Sequence, residues 1–66
     1  NGMKELSANQ TSNLGSLYKQ QGDMTRACAH WAKALGLYRE IGMKPEIELV
    51  EGWMREAGCP KAELRG

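Results

Sequence analysis

The stretch Asn13–Leu35, NLGSLYKQQGDMTRACAHWAKAL, decides how this chain folds. Two apolar patterns meet in it at Gly22-Asp23. Before the glycine, Leu14, Leu17 and Tyr18 recur three and four residues apart. After the aspartate, Met24, Ala27, Cys28, Trp31, Ala34 and Leu35 do the same. Such spacing places side chains on one face of an α-helix. A glycine just past a helix end can take the left-handed backbone conformation, and the Asp23 carboxylate can cap the helix that follows. The stretch predicts two helices joined by a tight turn.

Working outward, the first helix is expected from about Lys4 to Gln21, with Leu6, Gln10, Leu14, Leu17, Tyr18 and Gln21 on one face and Leu14, Leu17 and Tyr18 against the second helix. The second continues through Tyr38 to Ile41, with Arg26, His30, Lys33, Arg39 and Glu40 on its wet side. Gly42 and Gly58 are the next two stop signals, and Pro45 suits the first turn of a third helix reaching Ala57. Its inner side carries Ile47, Val50, Trp53, Met54 and Ala57. Glu46, Glu48, Glu51, Arg55 and Glu56 lie outside, with Glu51 and Arg55 paired four apart. The tail CPKAELRG has little to bury and is expected to fray. The organisation is a hairpin over 1–42, a capping helix over 43–58 and a flexible tail over 59–66. The fold class is all-α.

The chain has 66 residues, nine Lys+Arg against eight Asp+Glu, and a net charge of +1. A domain so short is marginally stable alone. Its balanced charge speaks against nucleic-acid or anionic-membrane binding, and no apolar run reaches the roughly 18 residues of a membrane span. A start at Asn1 rather than Met suggests a piece of a longer protein. Two cysteines make no disulfide framework and suggest a reducing, cytoplasmic setting, with a single bridge left open.

Gly-Met-Lys occurs at residues 2–4 and again at 42–44, an offset of 40. The residues between resemble the tetratricopeptide repeat (TPR): Leu14-Gly15, then Tyr18, a Gly22-Asp23 turn, Ala27, Trp31 in the aromatic slot, and Ala34. Thr11 replaces the leading Trp of that motif. Arg39 replaces its closing Pro, which lets the second helix run on. The spacing resembles the long-repeat subclass found in kinesin light chains and bacterial arrays. The third helix matches poorly and resembles a terminal lid. The resemblance implies an α-solenoid fragment, a scaffold that binds a protein or peptide partner and is no enzyme. It also implies that the first helix lines a concave groove, with Asn13 at the place that contacts peptide backbone in the subclass.

Asn9, Asn13, Ser16 and Gln20 form one stripe, four, three and four residues apart, flanked by Ser12 and Lys19. Amides and hydroxyls both donate and accept hydrogen bonds, as an extended peptide backbone requires. These residue types cost helix stability relative to Ala, and their concentration on one stripe singles it out. The alternative is a purely structural role, as the end cap or self-association segment of an array. No nucleophile has a His and carboxylate around it, no glycine-rich phosphate loop is present, and Cys28 and His30 point to different sides of a helix, so neither catalysis, a cofactor nor a metal is expected. Cys28 is expected to pack in the core, His30 to stand exposed, and Cys59 to be an exposed thiol. A single repeat leaves its first edge uncovered at Met3, Leu6 and Leu37, so the isolated chain is expected either to form a symmetric homodimer through that edge or to be only marginally folded.

Overall fold

The computed structural model describes residues 2–64, with only the backbone at 63 and 64, and is all-helical. Helix α1 spans Gly2–Gln20, α2 Met24–Ile41, α3 Lys44–Ala57, and α4 is a single turn, Lys61–Leu64. The helices α1, α2 and α3 end in the same way. Gly22, Gly42 and Gly58 have φ of 85°, 72° and 76°, the left-handed region that glycine enters without steric cost. The amide after each glycine closes the helix end: Asp23 N–H donates to Tyr18 O at 2.9 Å, Met43 to Tyr38 O at 3.0 Å, and Cys59 to Met54 O at 2.9 Å. Asp23 caps α2 by accepting from the Arg26 amide at 3.1 Å. Pro45 sits in the first turn of α3.

Helix α2 is the centre, and α1, α3 and α4 all pack on it. Contacts at opposite ends show that its neighbours run antiparallel to it: Lys4 approaches Glu40 while Tyr18 stacks beside His30, and Arg39 pairs with Glu51 while Cys28 meets Cys59. Among the described residues, six of the ten buried apolar ones belong to α2: Ala27, Cys28, Trp31, Ala34, Leu35 and Tyr38. Val50 and Met54 of α3 and Ala8 of α1 complete the centre with Cys59.

The structure corrects the expected face of α1. Leu14 and Leu17 are 44% and 52% exposed, whereas Ala8, Ser12 and Gly15 are buried against α2. The reason is the size of Trp31. Its indole lies so close to α1 that a Cβ added to Gly15 would sit 2.5 Å from the ring, and its Nε1–H donates to Ser12 O at 3.2 Å. Only the small-residue side of α1 admits that approach, and the leucines turn outward.

The cysteines are the second correction. Cys28 and Cys59 form a disulfide, and both are buried, so Cys59 is not an exposed thiol. The helix end at Gly58 carries the chain back over α2 and delivers Cys59 to Cys28. The tail expected to fray is therefore tied down at its start and goes on into α4; its last two residues lie outside the described ones. His30 is not a bystander either. It is half-buried, with its ring 4.9 Å from Tyr18 and Nδ1–H donating to Arg26 O at 2.8 Å.

Candidate functional site

Helices α1 and α3 flank α2 on one side of the molecule and hardly touch each other, which leaves a groove between them. Two adjoining concavities make it up. One, of about 370 Å³, is lined by Asn9, Ser12 and Asn13 of α1, Tyr38 of α2, and Glu46, Leu49, Val50 and Trp53 of α3. The other, of about 400 Å³, is lined by Ser16, Lys19, Gln20, Trp31 and Trp53. Trp53 belongs to both and stands at their junction, with its ring 6.1 Å from Trp31. All six stripe residues of α1 thus face one groove. They enter it unequally: Ser12 is nearly buried in the floor, Ser16 is half-buried, and the other four are exposed.

On the opposite wall, Val50 and Trp53 come from the expected inner side of α3, whereas Glu46 and Leu49 were not expected there. Glu46, Leu49, Val50 and Trp53 recur three, four and seven residues on, so they share one side of α3. Glu46 belongs to the expected outer side of α3. It is half-buried in the groove instead. The spacing was available as a signal.

Polar chemistry in the groove is graded. The Tyr38 hydroxyl donates to Asn9 Oδ1, which fixes that amide and leaves its NH2 group directed elsewhere. Among the described residues, Asn13 and Gln20 have no side-chain partner within the chain, and their donors and acceptors are available. Burial raises the Tyr38 pKa above its ordinary value, and the charges of Glu46 and Glu5 push it further the same way. The hydroxyl therefore remains a proton donor through the neutral range. Glu46 stands at one end of the groove and Lys19 at the other, so its ends carry opposite charge. Trp53 and Leu49 give the wall an apolar surface between them, over the buried Val50.

The other residues of the repeat-like motif serve packing. Ala27 and Ala34 are fully buried, Trp31 is 1% exposed, and Gly15 receives the indole. Tyr18 is half-buried between Arg26, which lies 5.8 Å over its ring, and His30. Leu14 is the exception, at 44% exposed. No group of three or more His, Cys, Asp or Glu side chains that could hold a metal occurs among the described residues. No helix is long and apolar enough to cross a membrane. Comparison with protein-family models, curated proteins and solved structures returns no match.

Proposed function

We propose that this chain is a protein-interaction module of TPR type, not an enzyme, and that the groove between α1 and α3 holds an extended segment of a partner protein. The observation that carries the reading is the convergence of all six stripe residues on one groove, opposite an apolar wall built around Trp53. Free amides at Asn13 and Gln20 suit a peptide backbone, which offers a donor and an acceptor at each residue. The wall of Leu49 and Trp53 suits the apolar side chains that such a segment presents between its polar groups. A disulfide persists where the surroundings are oxidising. We place the module in such a compartment rather than in the reducing cytoplasm suggested by its low cysteine count.

The test is selection of binders from a displayed library of random linear peptides, followed by affinity measurement against Asn13→Ala/Gln20→Ala. Asn9 is left intact because its amide also supports Tyr38. Loss of two charge-free hydrogen-bonding side chains is expected to weaken binding about tenfold or more, with helicity unchanged. Selected peptides that bind the variant as tightly as the wild type would assign the groove no role and leave the structural alternative.

A further inference from the structure

The outward face of α1 has a symmetry that the groove does not use. Met3 is 77% exposed, Leu6 56%, Leu14 44% and Leu17 52%, an unusual concentration of solvent-exposed apolar side chains on one helix. At about 100° per residue these four and Gln10 fall within an arc of about 80°, on the side away from Ala8, Ser12 and Gly15 and hence away from α2. Their order reads the same in both directions. Leu6 and Leu14 lie four residues either side of Gln10, and Met3 and Leu17 lie seven either side. Four and seven residues are close to one and two helical turns, so the stripe is straight as well as symmetric.

A stripe that survives reversal of the helix is complementary to itself run antiparallel. A two-fold axis through Gln10 would set Leu6 of one copy against Leu14 of the other, and Met3 against Leu17, twice over. This is the condition for an isologous interface, in which one patch serves both subunits. We propose that two copies of the chain pair in this way, α1 against α1, independently of any peptide in the groove.

Two further features fit a second copy as the occupant. Gln10 falls on the axis, where two amides can each donate to and accept from the other. A lone polar pair inside an apolar seam penalises every shifted alignment, because a shift leaves both amides facing leucine. The charges of α1 also keep clear. Lys4 turns toward α2, with its Nζ 3.9 Å from Glu40, and Glu5 and Lys19 lie outside the arc. No like charges meet across the axis. The seam from Met3 to Leu17 is about 21 Å long at 1.5 Å per residue. Such a contact lies below the roughly 800 Å² per partner of a standard interface, so a weak, concentration-dependent dimer is expected.

Sedimentation equilibrium of the whole chain from about 1 μM to about 1 mM spans the range in which an interface of this size should assemble. Wild type is expected to pass from monomer to dimer. Leu14→Glu, at an exposed helical position, should keep its circular dichroism and raise the dissociation constant at least tenfold. The decisive comparison uses two double variants. In Leu6→Lys/Leu14→Glu the antiparallel alignment brings opposite charges together between copies, and association is expected to return. In Leu6→Glu/Leu14→Glu the same alignment brings like charges together, and it should not. A chain that stays monomeric throughout overturns the proposal and leaves the stripe to a helix of a different polypeptide. Association that Leu14→Glu does not weaken, or that treats the two double variants alike, overturns this pairing.

Discussion

At the scale of single residues, Gly15 and Tyr38 hold the molecule to its shape by opposite means, one by lacking a side chain and the other by having a polar end. Alanine is the better helix former by about 0.5–1 kcal/mol, and at an open site the exchange should stabilise. Gly52 in α3 is such a site, with nothing within 4 Å of an added Cβ. At Gly15 the same methyl would lie 2.5 Å from the buried Trp31 ring. Overpacking of that kind costs about 1–3 kcal/mol and outweighs the helical gain. Gly15→Ala is therefore expected to destabilise by about 1–2 kcal/mol and Gly52→Ala to stabilise slightly, a difference in sign that urea unfolding would register. Tyr38 is tested by pH. Its pKa in the folded chain is raised, so the fold keeps the proton at a pH where the unfolded chain has released it. The associated stability is complete below the ordinary value of 10.0 and is lost as pH rises through the folded-state value. Thermal melts between about pH 8 and about pH 11 should show a decline in wild type that Tyr38→Phe makes shallower. At neutral pH the variant should lose about 0.5–1.5 kcal/mol with its hydrogen bond to Asn9.

At the scale of helices, legibility in the sequence depended on how many faces an element could bury. Helix α2 has one: Ala27, Cys28, Trp31, Ala34, Leu35 and Tyr38 leave no competing stripe, and both its position and its inner side were plain. Glycine stops and the Asp23 cap were legible for the same reason, since each is decided by neighbours a few residues away. Helix α1 offers two faces, one of leucines and one of Ala8, Ser12 and Gly15. Periodicity favours the larger residues. The choice is made by Trp31, which approaches from another helix and admits only the smaller ones, and local pattern carries no record of that. The polar stripe was legible because it lies beside either face. Its opposite wall on α3 was legible only in Val50 and Trp53, because which side of α3 meets a groove depends on where α1 ends up.

At the scale of the whole molecule, the bridge between Cys28 and Cys59 links residues 31 apart in sequence, a pairing visible only once α3 has folded back along α2. Closing a loop of that length removes unfolded-state entropy worth about 4 kcal/mol in the chain-entropy account. A chain of 66 residues has about 3–10 kcal/mol of stability in total. The bridge is therefore expected to decide whether the isolated domain is robust. Cys28→Ala/Cys59→Ala should lower the unfolding free energy by about 3–4 kcal/mol, read from urea midpoints. Equal midpoints would show that packing alone holds α3 in place. The same bridge also divides the chain mechanically. Segment 28–59 is a closed covalent ring, whereas α1 is joined to it through the Gly22 turn and held by side-chain packing. A pull between α1 and the residues after Cys59 would lengthen the molecule by peeling α1 from α2 while the ring kept its contour. Strain would then reach α1, with its share of the groove, before it reached the opposite wall, and force would erase the recess by removing one side of it.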